Sequence, residues 1–385
     1  MLAAVALVMT YPYEAFSGGE QAYVGALRRF LISRGHRVDT IISDVSRGRT
    51  NPVLSLRRAG QRHVTVRRTL TIGSGRYLCY DPALLTRAVL SIAGRRRRGS
   101  ERTSGAERRW LGRMLDRGSY DVTILMWDAC TIAPVLQHDR VLALRGFFSH
   151  HDYALGELPP AILPAGAAGA LADFEWVGLN NRWEMATLRQ QRDRDGILYV
   201  GMGFPVRPPM PVAEQPIVLF VGADTAPNRQ SLHWFIGDIW PAIVARHPAA
   251  CFHIAGGVGH AIGEVPPGIS ILGRVDDLDA CYAAAQVVVT PIVTGSAGVK
   301  TKVAEALAYG RPLVTTSLGV DPGDPGQMEG DVDVIDDATG FAAAVNRLLG
   351  DADLRRSRTA CSTAAFHRLF SDQAAYGDMA RAVGL

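Results

Sequence analysis

The stretch GSAGVKTKVAEALAYGRP, residues 295–312, places small residues, two lysines and a glutamate at the head of an otherwise apolar segment. Its spacing predicts a turn over 294–298 and a helix over 299–309, stopped by Gly310 with Pro312 beyond it. Val299, Val303, Ala306, Leu307 and Gly310 recur at helical spacing and form the core stripe, and Glu305 falls off it. The small residues leave the backbone N–H groups of Ser296, Ala297, Gly298 and Val299 open at a helix start, where the dipole favours an anion such as a diphosphate. Lys300 adds positive charge at the same place. Glu305 lies about ten ångströms from the turn at ~1.5 Å per residue, within the span of a nucleotide's ribose. A plain tight turn, with Lys302 and Glu305 as a surface i, i+3 pair, accounts for the same letters.

Such a turn needs a strand before it and a sheet beneath it. The chain alternates apolar runs and helical patterns throughout, the signature of parallel sheets with helices on both faces. Strands are predicted at 3–9, 38–42, 122–127, 141–144 and 197–200, with a helix over 19–34 between the first two. FPVRPPMPVAEQP, residues 204–216, is proline-rich and reads as a linker. The rhythm then restarts with IVLFVG at 217–222, a helix over 229–246, and strands at 252–255, 269–272, 287–291, 313–316 and 332–335. Two Rossmann-like halves joined in this way leave a cleft between the carboxyl ends of two sheets, where such folds bind ligands.

Composition agrees with this reading. At 385 residues, with 48% hydrophobic and 20% charged residues, the chain fits a two-domain globular protein. Its five cysteines are scattered without zinc spacing or a disulfide pattern, which favours a cytoplasmic setting. The opening MLAAVALVM lacks a basic flank and reads as a buried strand in place of a signal peptide or membrane span. The net charge is +4, yet GRRRRGSERTSGAERRW at 94–110 concentrates basic residues. Arg95–Arg98 form either a solvated loop or a patch for anionic lipid head groups. Nucleic acid is not expected, because this segment lacks the interleaving of aromatic with basic residues that stacks bases.

GSAGVKTKVAEALAYGRPLVTT resembles the donor-site motif of the retaining glycosyltransferases of family 4, also called group 1, and the likeness runs through FVGADTAPNRQSLHWFIGDIWPAI, HIAGGVG and ILGRVDDLDACYAAAQVVVTPI. PYEAFSGGEQAYVGALRRFLISRGHRV, residues 12–38, is similar to the family's opening. The resemblance implies the GT-B fold, an α/β architecture of two Rossmann-like domains whose parallel sheets face a central cleft. Residues 1–205 would form the acceptor domain, joined by a returning C-terminal helix within 366–385, and residues 206–365 the nucleotide-sugar domain. It further implies Glu305 on the ribose hydroxyls, the turn from Ser296 to Val299 on the diphosphate and sugar, and the backbone of Arg274 and Val275 at the base. Gly18, Gly19, Gly222, Arg229 and Lys300 complete the expected donor set.

Several positions depart from the family pattern. Ala297 stands where many members carry a second glutamate, Ala223 where many carry an arginine, and Phe147 and Phe148 where relatives often place a His-Asn pair. His150, His151 and Asp128 are the alternative candidates for a catalytic role. The D-x-D string at Asp331–Asp333 is of a length that chance supplies, and no metal or resident cofactor is expected. The implied activity is hexosyl transfer, with retention, from a nucleoside diphosphate sugar to a lipid-linked or polysaccharide acceptor, at the inner membrane face. A GT-B nucleotide-sugar epimerase and a degenerate sugar-nucleotide-binding protein are the alternatives.

Overall fold

A computed structural model of the protein describes residues 2–9, 19–42, 64–65, 69–72, 75–78, 115, 120–126, 141–145, 153–157, 174–191, 196–208, 213–295 and 298–385. The opening apolar run forms strand β1 (Ala4–Met9), in which Val5 to Met9 are all fully buried. Burial on both faces is the mark of a parallel strand covered by helices on either side. Helix α1 (Gly19–Ser33) returns the chain to β2 (Arg37–Ile42), which pairs with β1 in parallel. Beyond β2 come β3 (Val64–Thr65), the hairpin strands β4 (Thr69–Ile72) and β5 (Gly75–Leu78), then β6 (Val122–Met126), β7 (Val141–Arg145) and the short β8 (Tyr153–Ala154). Next are β9 (Trp176–Leu179), helix α2 (Arg182–Gln191) and β10 (Ile197–Tyr199). The first sheet has the order β10-β9-β7-β6-β1-β2-β3, parallel throughout.

The second sheet starts at β11 (Ile217–Val221), followed by α3 (Ala226–Trp234), α4 (Trp240–Arg246) and β12 (Cys251–Ala255). It continues with β13 (Ile269–Gly273), α5 (Leu278–Ala284), β14 (Val287–Thr290), the short β15 (Thr294–Gly295), α6 (Thr301–Ala308), β16 (Leu313–Thr315) and β17 (Asp333–Val334). Its order is β13-β12-β11-β14-β16-β17, again parallel. Three helices close the chain: α7 (Ala338–Gly350), α8 (Ala352–Leu369) and α9 (Asp372–Val383). Each begins at a side chain that accepts a backbone N–H of the first turn, respectively Asp337, Asp351 and Ser371.

Local readings change in the helix after β11 and at β9, among others. The helix expected over 229–246 starts earlier and is interrupted by a π-helical turn, Phe235–Ile239. Pro241 has no N–H to offer Gly237, and the ladder loosens there, with the Trp240 N–H reaching the Phe235 carbonyl five residues back. The β9 strand was not predicted, because its four residues, with Gly178 among them, carry too short an apolar run to stand out.

Chain crossings tie the two sheets together. Helix α9 packs against α1, β9 and β10 of the first sheet. Residues 201–208 run beside the start of α9: the Phe204 N–H donates to the Phe370 carbonyl (2.9 Å) and the Gly203 N–H to the Tyr376 hydroxyl (3.0 Å). A Cβ on Gly203 would lie 2.3 Å from Asp372 Oδ1, so this passage accepts only glycine without rearrangement. Antiparallel pairing of β8 with β15 makes a second bridge, with Tyr153 opposite Gly295.

Asp321, which follows β16, makes a third. The first N–H groups of α2 have no partner in their own helix. Asn181 Oδ1 accepts that of Glu184 (2.7 Å), and Asp321 Oδ2 accepts that of Arg182 (2.8 Å). One half of the molecule thereby caps a helix of the other. Asp321→Ala is expected to cost about 1 kcal/mol, the usual effect of losing a helix cap, seen as a lowered Tm. An unchanged Tm would show that water replaces the carboxylate at no cost.

Candidate functional site

The donor-motif helix begins at Thr301, two residues later than expected, because Lys300 holds extended backbone (φ −85°, ψ 92°). Val303, Ala304, Ala306 and Leu307 are fully buried and seat α6 on the sheet. Gly310 takes a left-handed conformation (φ +61°) and ends the helix, after which the chain turns into β16. Thr301, Glu305 and Ala308 recur every three or four residues on the remaining face, and they line a cavity of about 800 Å³. Its opposite wall is α1, through Ala22, Ala26 and Arg29. The cavity therefore lies between the two halves of the molecule, with the crossing segment at Gly203 and Phe204 along one side.

Glu305 is the carboxylate that α6 presents to this cavity. The Tyr282 hydroxyl donates to its Oε2 across 3.5 Å, and Tyr282 stacks on Tyr309 with ring centroids 4.1 Å apart and planes within 10°. Arg207, from the crossing segment, lies over the Tyr309 ring (4.9 Å) and pairs with Asp279 (3.2 Å). The Tyr309 hydroxyl donates to the same Asp279 carboxylate. Burial raises the Glu305 carboxyl above its usual range, while the Tyr282 hydrogen bond and the charges of Arg207 and Lys302 act the other way. What results is a partly desolvated hydrogen-bond acceptor at a fixed place in the cleft. Arg207 carried no signal in the sequence beyond its setting among prolines.

Lys302 does not form the surface pair with Glu305 that local spacing allowed. Its ammonium donates to Asn228 Oδ1 and lies 5.0 Å from the centre of the Phe220 ring. Asn228 is itself fixed, donating from Nδ2 to the Ala223 carbonyl (2.8 Å) in the turn between β11 and α3. Gly222 opens that turn, and a Cβ there would press within 2.8 Å of the Phe220 ring and 3.0 Å of Asn228. Burial, reinforced by the neighbouring Lys300, pushes the Lys302 ammonium down to about 8.

The remaining donor-set residues are dispersed. Arg229 spends its charge on Asp224 at 2.5 Å, on an exposed surface of α3. Val275 lines the cavity, whereas Arg274 is exposed. Gly298, Val299 and Lys300 are partly buried ahead of α6, and Lys300 Nζ comes within 3.9 Å of the place a Cβ on Gly295 would take. Gly19 opens α1, whose next turns face the cavity. Gly18, Ser296, Ala297, Asp128, His150 and His151 lie outside the described residues, as do Phe147, Phe148 and Arg95–Arg98. The D-x-D carboxylates are occupied by arginines, Asp331 by Arg368 (2.6 Å) and Asp333 by Arg358 (3.2 Å) and Arg347 (3.4 Å).

Two parallel Rossmann-like sheets facing a shared cleft define a GT-B fold. Among solved structures, the chain is similar to TarM over 100% of its length and 99% of that protein's, with a TM-score of 0.67 and 10% identity. A mutant of S. aureus TarM in complex with fondaparinux, α-GlcNAc-glycerol and UDP gives a TM-score of 0.54 at 14% identity, over 73% of this chain; the chain spans 59% of that protein's length. The pneumococcal O-GlcNAc transferase GtfA, in complex with UDP and GlcNAc, gives 0.62 at 11% identity, covering 100% and 99% of the two chains. Residues 215–351 match the family model of the group 1 glycosyl transferases. No curated protein sequence matches the chain.

Proposed function

We propose that the protein is a retaining hexosyltransferase that moves a sugar from a nucleoside diphosphate donor to a lipid-linked or polysaccharide acceptor. The observation that carries this reading is the Glu305 carboxylate opening into the inter-domain cavity from within the segment that matches the group 1 model. Glu305 would accept the ribose hydroxyls, and the N-terminal end of α6 would face the diphosphate. During transfer the bond between the anomeric carbon and the diphosphate oxygen breaks, an acceptor oxygen bonds to that carbon on the same face, and the acceptor's proton passes to the departing phosphate. The main demand on the protein is to stabilise charge on the leaving group, which fixed N–H groups and cations meet without reorganising. The cleft would close over the donor to keep water from acting as acceptor.

The names of the similar structures, two of which hold UDP, support a donor of this class. The acceptor is assigned from the sequence alone, through the basic segment at 95–98 and the Gly/Ala-rich run at 158–174, which suit a glycan carried on a membrane surface. No helix among the described residues is long and apolar enough to cross a membrane.

Incubating the protein with UDP-, GDP-, ADP- and dTDP-sugars, with and without lipid-linked glycans, and weighing the products by mass spectrometry tests the reading. Sugar transfer, or slow release of the nucleoside diphosphate without acceptor, is the expected result. An isomerised donor would identify an epimerase. Binding without turnover would identify a sugar-nucleotide-binding protein, the reading favoured by Ala223 and by the engagement of Arg229 with Asp224.

A further inference from the structure

Lys302 has an arrangement that neither packing nor ion pairing explains. Its ammonium is largely removed from water, yet the contacts of that group are a neutral amide, Asn228 Oδ1, and an aromatic face, Phe220. No carboxylate among the described residues lies within 4.0 Å of it in an ion pair. The charged groups acting on it are Lys300, which opposes its charge, and Glu305, which favours it; the strand β11 and the helix α3 packed against it contribute Phe220 and Asn228. A partly buried cation without a counter-ion is costly to the folded protein. Here the α6 lysine is held by two neighbours: the first turn of α3 supplies the amide, and β11 the ring.

We infer that Lys302 is the cation that meets the donor's diphosphate, its missing counter-ion being supplied by the ligand. This rests on the nucleoside diphosphate reading above. The site lies where the start of α6 and the turn after β11 converge, so an anion placed at the N–H groups of α6 is within the field of both Lys300 and Lys302. It also accounts for one departure from the family pattern and for the engagement of Arg229. Ala223 brings no charge to this turn and Arg229 is engaged by Asp224, so the positive charge comes from α6 instead. Asn228 acts as a positioning residue, because its amide links the Lys302 ammonium to the Ala223 carbonyl.

Calorimetric titration of UDP, GDP, ADP and dTDP, and of the matching nucleosides, into wild-type protein, Lys302→Met, Lys302→Arg and Glu305→Gln tests the assignment. Lys302→Met is expected to fold, since an apolar residue of similar length removes a desolvated charge. It should bind the diphosphate roughly ten- to hundredfold more weakly, the effect of losing a charge-assisted hydrogen bond, and leave nucleoside affinity unchanged. Lys302→Arg should retain most of the affinity. Glu305→Gln should lose affinity for diphosphate and nucleoside alike. Equal diphosphate affinity in wild type and Lys302→Met would overturn the role of Lys302 while leaving the donor reading intact. Failure of the wild type to bind any of the four diphosphates would overturn both.

Discussion

Glu305→Gln is expected to weaken binding of nucleoside diphosphate and nucleotide sugar by roughly ten- to hundredfold, the equivalent of ~1.5–3 kcal/mol for a hydrogen bond to a charged acceptor. Ribose contacts are shared by the bound substrate and the transition state, so the loss should fall on KM more than on kcat. The same substitution should leave stability unchanged or raise it. Burial holds the folded-state pKa of Glu305 above its unfolded value, which means the folded protein favours the protonated form. A carboxyl shifted in that direction costs stability progressively as pH rises from the unfolded pKa through the folded one, and the full cost is present above the folded pKa. Glutamine removes that cost and still offers an oxygen to the Tyr282 hydroxyl. In the wild type, nucleotide affinity should fall as the pH is lowered through the raised pKa of Glu305, because the protonated carboxyl accepts fewer hydrogen bonds. Equal affinity of wild type and variant across this range would remove Glu305 from the donor site.

Gly256→Val should be the most destabilising single substitution near the cleft, at about 3 kcal/mol or more. Gly256 follows β12 with φ +104°, a conformation that side chains with a Cβ rarely adopt, and an added Cβ would lie 2.1 Å from the Gly222 carbonyl oxygen. Its N–H donates to the Gly273 carbonyl (2.6 Å), and the Gly222 N–H donates to Ala255 (2.9 Å), so three neighbouring strands end in one hydrogen-bonded layer. Forcing Gly222 aside moves the turn that leads into α3 and the Ala223 carbonyl that fixes Asn228, which holds Lys302. The variant should therefore show a lowered Tm and, where it remains folded, weaker diphosphate binding. A Tm within a degree of wild type would mean that the layer yields easily and that the close approach of the two glycines is not required.

The sequence by itself determined the features that rest on short-range regularities. Runs such as IVLFV and VVVT, short, β-branched and bounded by turn residues, read as buried parallel strands, and Val303, Ala306 and Leu307 at helical spacing fixed which side of α6 faces the sheet. With that side fixed, Glu305 had to emerge elsewhere, and its place in the cleft follows from register along one helix. Gly310 ended the helix for an equally local reason, a left-handed backbone angle that glycine adopts freely. Tertiary structure alone decided which partners the emerging side chains meet. At i, i+3, Lys302 and Glu305 read as a surface pair, but Asn228 and Phe220, more than 70 residues earlier, draw the lysine toward the second sheet's first turn. Arg207 had no local pattern at all, and it acquires a place beside Glu305 because the crossing segment runs past Tyr309 and Asp279. The cap that Asp321 places on α2 joins residues 139 positions apart, and its length of chain carries no periodicity that could announce it. Periodicity reports which face of an element is buried; it contains no information about which distant polar group lies opposite, because that depends on how whole elements pack.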